Sequence, residues 1–337
     1  MRVPTYMSPT SFQQFYKDEE EYYMKYLAEN RPPRMPQTKP MAVGSSFDAY
    51  IKSYLHEKLF GAGDPKFELT TLFEAQVEEQ NRDFALIAGK DCFDQYIKHG
   101  AAADMMLELE LADSDPQFEF RIEGKVVHEG VIDGINFLGL PDVYFHRRDG
   151  EAVIFDWKVN GYCSKSNTSP KPGFINVRGP VGTRGINAAH KDAQPMLVDG
   201  MMINVATTME AVDEKWAVQE AVYGWLLGEK VGAQFVVGID QLAVGANPDY
   251  ENFDTKPAIR IARHRCRISR GFQEETYARA VWVNTVVQSG WIFRGMSEED
   301  SHARQTMLDE RHLAYGDSDD PKEAWFSKAT RSHGGNY

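Results

Sequence analysis

The chain has 337 residues, 42% of them hydrophobic and 26% charged, with a formal charge of −13. This is the composition of a folded globular protein with ample core, and it excludes an intrinsically disordered chain. The sign is wrong for a protein that coats nucleic acid, but an enzyme that admits a polyanion only at a metal-lined cleft needs just a local basic patch.

In chain order, "SPTSFQQFYKDEEEYYMKYLAE" predicts a helix capped by Ser8 or Thr10, with Phe12, Phe15, Tyr16, Tyr22, Tyr23 and Tyr26 at helical spacing. Such aromatics serve either as core or as stacking platforms for unpaired bases. The proline-rich "NRPPRMPQTKP" cannot continue that helix. A second helix is expected in "GSSFDAYIKSYLHEKLF" and a third from Phe84 to Lys98. From Met105 the period becomes that of strands, in "MMLELELA", "QFEFRIEG", "VVHEGVIDGINFLGLPDVYFHR" and "EAVIFDWKV". A polar, glycine- and proline-rich insertion at residues 162–201 reads as a long functional or disordered loop. A helix in "EKWAVQEAVYGWLLGEKV", strands in "AQFVVGIDQLAV" and "AIRIARHRCRISR", and a last helix in "TYARAVWVNTVVQSGW" complete the pattern.

These elements predict one α/β domain over residues 1–300, a central mixed sheet flanked by helices. Its parts are a helical region at 1–100, a catalytic sheet at 105–160, the insertion, and a core helix with the remaining strands at 213–295. Residues 301–337 read as a polar tail. Cys92, Cys163 and Cys266 show no C-x-x-C spacing, so no zinc or iron–sulfur cluster is expected. With no apolar run of membrane length and no basic-plus-apolar leader, a cytoplasmic protein without a membrane partner is expected.

The stretch "PDVYFHRRDGEAVIFDWK" carries the chemistry. A three-residue loop, Arg148-Asp149-Gly150, puts glycine at the left-handed position such loops prefer. Arg147 then faces Glu151, and counting back sets Asp142 opposite Asp156. Alternation puts Asp142, Asp156 and Lys158 on one face; a two-residue loop would move Asp142 to the other. Two carboxylates at the end of a buried hairpin repel, and one takes a proton unless a cation lies between them. An all-oxygen donor set suits Mg²⁺ or Mn²⁺, one or two ions, with the lysine beside it acting on a water or a phosphate.

Pro141-Asp142 followed by Asp156-Trp157-Lys158 resembles the core signature of the PD-(D/E)xK nuclease superfamily. Within it, the chain is most similar to the RecB-type and phage exonuclease branch. "QEAVYGWLL" resembles that branch's Q-x-x-x-Y helix, with Gln219 and Tyr223 as supporting residues, and the two N-terminal helices resemble its S-x-S and G-x-x-x-H helices. Asp48 stands where the family carries a metal-binding histidine. The resemblance covers roughly residues 8 to 230. It implies a restriction-endonuclease-like core in which Asp142, Asp156, the Trp157 carbonyl and Asp48 hold metal, while Lys158 positions the attacking water.

Two basic segments allow two readings each. Lys165, Lys171, Arg178, Arg184, His190 and Lys191 either clamp a DNA backbone or belong to a solvated loop. Arg263, Arg265 and Arg267 alternate along one strand and face either phosphates or the chain's own acids. The function expected is a metal-dependent deoxyribonuclease, an exonuclease or end-processing enzyme of recombination, repair or phage DNA metabolism acting on duplex ends or single strands. The alternatives are an endonuclease on the same core and a catalytically idle DNA-binding module. A homo-oligomer or a recombination partner fits this reading, with no interface stripe to support it.

Overall fold

Around the strand that carries Asp156-Trp157-Lys158, both faces of the sheet are covered, and the reason is visible in its apolar run. The computed structural model describes residues 3–28, 36–128, 134–163, 174–178, 194–198, 201–205, 208–245 and 256–290, with the side chains from 161 to 207 outside the description. Helices α1 (Pro9–Lys17), α2 (Glu19–Tyr22), α3 (Lys39–Phe60), α4 (Leu69–Gln76), α5 (Arg82–Lys98) and α6 (Ala101–Leu109) come first. Strands β1 (Gln117–Phe118), β2 (Ile122–Val126), β3 (Ile135–Gly139), β4 (Val143–His146) and β5 (Ala152–Cys163) follow. Then come β6 (Phe174–Arg178), β7 (Gln194–Val198), β8 (Met201–Val205), α7 (Met209–Val212), α8 (Glu214–Leu226), β9 (Val236–Gly245), β10 (Ile259–Cys266) and α9 (Arg270–Ser289).

Among the described residues, eight strands form one mixed sheet in the order β1-β4-β5-β9-β10-β8-β7, with β6 also paired to β10. The β5–β9 and β10–β8 pairs are parallel and the other pairs antiparallel. β2 and β3 make a separate hairpin. Side-chain alternation divides the core. Tyr144, Ile154, Val237 and Ile239 pack with Phe12, Phe15, Ala221, Val222 and Tyr277 of α1, α8 and α9. Val143, Phe145, Val153 and Phe155 pack on the other face with Phe47, Ile51, Tyr96 and Met105 of α3, α5 and α6. A strand covered on both faces needs no polar alternation, which is why "AVIF" is continuous.

Local signals set the helix starts. The Ser8 side chain accepts from the Ser11 N–H in a capping box that opens α1. Thr38 caps α3, with Pro40 in its first turn where no N–H partner is lost. The helix therefore begins at Lys39, inside the end of the proline-rich connector and ahead of "GSSFD". Phe12, Phe15 and Tyr22 of the first two helices are buried and so belong to the core, while Tyr16 is exposed.

Two expectations are corrected. "MMLELELA" lies mainly in α6: Met105 and Leu109, four apart, are buried, whereas Leu107 and Leu111 are exposed. The main sheet thus begins at Gln117. The segment 162–201 is not one loop, since β6 and β7 both lie in it and join the sheet. Lys165, Lys171, Arg184, His190, Lys191 and the tail 301–337 lie outside the described residues, as does the side chain of Arg178. Helix α4 was not foreseen. Among the described residues no helix is long and apolar enough to cross a membrane.

Candidate active site

The β4–β5 hairpin pairs Val143 with Phe155 and His146 with Ala152. The Arg147 N–H donates to the Glu151 carbonyl at 2.9 Å, the two side chains form an ion pair, and Gly150 closes the loop at φ +84°. This register sets Asp142, one residue before the first pair of β4, across from Asp156. Alternation then turns Asp156 and Lys158 toward α8 and Trp157 toward α5, where its indole N–H donates to the Tyr96 hydroxyl at 3.3 Å.

Helix α8 holds this group at two points. Gln219 donates to Asp156 Oδ2 at 2.6 Å and accepts from Lys158 Nζ at 3.1 Å, while the same lysine contacts the Asp156 carboxylate directly. One turn on, Tyr223 bonds the backbone of Leu140, just ahead of Pro141-Asp142. Its ring packs so closely on β3 that a Cβ at Gly139 would lie 2.8 Å from Tyr223 Cδ1. Gln219 therefore orients the carboxylate and amine of β5, and Tyr223 anchors the segment that carries Asp142.

On the other side stands a second acidic group. Lys52 Nζ lies 2.8 Å from Asp142, 2.7 Å from Asp48 and 3.4 Å from Glu119. The Gln76 amide donates to Asp48 at 2.9 Å and to Glu119 at 3.2 Å. Glu119 is the one described non-glycine residue at positive φ, +36°, and its N–H donates to the Asp142 carbonyl at 2.9 Å. Strained backbone of this kind concentrates at working sites. Asp142, Asp156, Lys158, Asp48, Lys52, Gln76, Glu119 and Trp216 line one cavity of about 490 Å³.

The electrostatics follow from burial and crowding. Burial, and then the charge of Asp142, push Asp156 well above the usual carboxylate range. Burial would raise Asp142 as well, but Lys52 and a hydrogen bond from Asp156 hold it below that range. Without a cation between them, the pair shares one proton, with Asp142 ionised. Burial and Asp142 push Asp48 up to about 7, and burial pushes Glu220, the neighbour of Gln219, up to about 8. Lys158 would be lowered by burial, yet Asp156 and Glu220 raise it, so it stays an ammonium. Glu220 Oε2 is buried with no hydrogen-bond partner.

Does this arrangement fit a divalent ion? Asp142 and Asp156 supply facing carboxylates. The Trp157 N–H donates to Asp142 Oδ2 at 3.1 Å, and the N–H and C=O of one strand residue share an edge, so its carbonyl is directed the same way. An all-oxygen set from two crowded carboxylates and a carbonyl suits Mg²⁺ or Mn²⁺. Among the described residues no three His, Cys, Asp or Glu side chains are spaced as a metal-holding group. Asp48 lines the cavity, but its carboxylate is engaged by Lys52 and Gln76.

The arginine strand does not face phosphates. Arg263 is buried against Asp104, Glu108 and Asp240, and Arg265 is tied to Glu108 and Asp240. Arg267 pairs with Glu151. His264 and Cys266, on the opposite face, are buried. The network reaches the site through Asp240, which accepts from the Tyr96 hydroxyl next to Trp157. Sequence reasoning missed Lys52, Gln76, Glu119 and Glu220. Only Lys52 gave a signal, four residues after Asp48 on the same helix face. No family model matches the sequence, and no curated protein matches it either.

Proposed function

We propose that this cavity is the active site of a metal-dependent deoxyribonuclease with a restriction-endonuclease-like core, of the PD-(D/E)xK type. One observation carries the reading: Asp142 faces Asp156 across the hairpin, with Lys158 two residues on and both β5 side chains held by Gln219. A divalent ion held by Asp142 and Asp156 would supply positive charge for the scissile phosphate and lower the pKa of a water.

The chain's own residues do the rest. Asp142 and Asp156 would hold the cation, its binding displacing their shared proton to solvent. Lys158, whose ammonium contacts the Asp156 carboxylate, is a donor rather than a base; it orients the attacking water and offsets charge on the phosphate oxygens. Gln219 fixes the directions of both groups. Water attacks phosphorus, the P–O bond to the leaving nucleoside breaks, and a phosphate monoester and a hydroxyl result. The family resemblance favours linear DNA with free ends as substrate.

End-labelled linear duplex and closed circles of the same sequence, incubated with Mg²⁺ or Mn²⁺, test this directly. Loss of the linear form alone, abolished in Lys158→Ala, is the expected outcome. Nicked circles would make the enzyme an endonuclease. Binding without cleavage of either form would leave a DNA-binding module and overturn the catalytic reading.

A further inference from the structure

The acidic cluster beside the hairpin already has a cation at its centre. Lys52 is only 2% exposed, and its ammonium stands 2.7 Å from Asp48, 2.8 Å from Asp142 and 3.4 Å from Glu119. Those are ammonium spacings; Mg²⁺ and Mn²⁺ need oxygens at about 2.0–2.2 Å. Nor can the lysine readily withdraw, because Ile51 and Leu55 beside it on α3 are fully buried. The surroundings are built around it too. Gln76 turns its amide toward Asp48 and Glu119 and donates to both carboxylates. Glu119 reaches the cluster only by a left-handed backbone at φ +36°.

We infer that Lys52 is a built-in cation that takes the place of one ion of a two-ion site, so that each chain binds a single divalent ion between Asp142 and Asp156. The inference rests on the metal-dependent reading above. Lys52 is then a positioning residue. It fixes Asp142 through one oxygen, neutralises Asp48 and Asp142 at any metal concentration, and excludes a second ion by charge and by volume. Deleting the ammonium leaves three carboxylates and a cation-sized space, which a second ion can fill by drawing the oxygens inward.

Calorimetric titration of EDTA-stripped protein with Mn²⁺, without DNA, reads the stoichiometry independently of catalysis. The expected counts are one ion per wild-type chain and two per chain of Lys52→Met, with the Mn²⁺ electron paramagnetic resonance of the variant showing a spin-coupled pair. Lys52→Gln, which keeps a donor toward the carboxylates, gives the same count should Lys52→Met not fold. Two ions on the wild type overturn the inference. One ion on both proteins overturns it and leaves the metal-dependent reading standing. No binding by folded wild type removes both. Variants that stay unfolded at saturating Mn²⁺ also overturn it, because the second ion should replace the lost charge.

Discussion

At the scale of single residues, the site is an arrangement of carboxylates with too little positive charge. Glu220 shows the consequence most simply. Burial pushes it up to about 8 against an ordinary 4.5, so the folded protein keeps a proton that the unfolded chain releases. The native state binds more protons over that interval, and stability falls as pH rises from about 4.5 to about 8. Asp48 and Asp156, also raised, act in the same direction. Urea unfolding in EDTA at pH 5.5, 7 and 9 should therefore show a falling midpoint, with a shallower fall in Glu220→Gln. Equal slopes in the two proteins would mean that Glu220 is not held protonated. The reactive residues were legible because Asp142, Asp156 and Lys158 follow from one turn and a period of two. Glu119 was not, since its place depends on a positive φ that no neighbouring residue announces.

Elements matter here chiefly by what they hold rigid. The network of Asp104, Glu108, Asp240, Arg263 and Arg265 lies beneath β5 and touches it through Tyr96 and Trp157. Arg263→Leu leaves Asp104 without that partner and Asp240 with Arg265 still beside it. Removing one side of a buried ion network typically costs about 3–5 kcal/mol, measurable by denaturant titration; a loss below about 1 kcal/mol would show the acids finding other partners. Close helix contact is the other device. A Cβ on Gly89 of α5 would overlap the Ser46 side chain of α3, two residues before Asp48. Gly89→Ala should cost about 1–3 kcal/mol through overpacking and weaken cleavage by shifting Asp48 and Lys52, whereas unchanged stability would mean the helices separate freely. The sequence misled at "MMLELELA", where alternation of leucine and glutamate fits a strand and a helix face alike. Only the buried Met105–Leu109 pair, set by tertiary packing against Phe47 and Tyr96, decides it.

For the whole molecule, the fold and the charge make one demand together. Five of the sheet's eight described strands, β1, β4, β5, β9 and β10, were foreseeable as extended segments from their apolar runs. β6, β7 and β8 sit in polar, glycine-rich sequence, and their pairing with β10 and with each other supplies the stability that their composition does not advertise. With a charge of −13, the chain as a whole repels DNA, so binding should depend on the metal and on a few local cations. Raising salt should then weaken DNA binding with a slope set by a small number of phosphate contacts, about −0.9 per contact for duplex. A steep slope like that of a DNA-coating protein would contradict an active site that meets DNA only locally.

The central claim is that facing carboxylates and a lysine on one hairpin form a metal-dependent hydrolytic site. Its most direct test is the rate of Mn²⁺-dependent cleavage of linear duplex by the wild type and by Asp156→Asn, beside the melting temperature of each in EDTA. The geometry requires the variant to lose cleavage by at least about 100-fold while melting close to the wild type, because asparagine has the shape of the protonated Asp156 that the metal-free pair holds. Cleavage retained by a folded Asp156→Asn would contradict it.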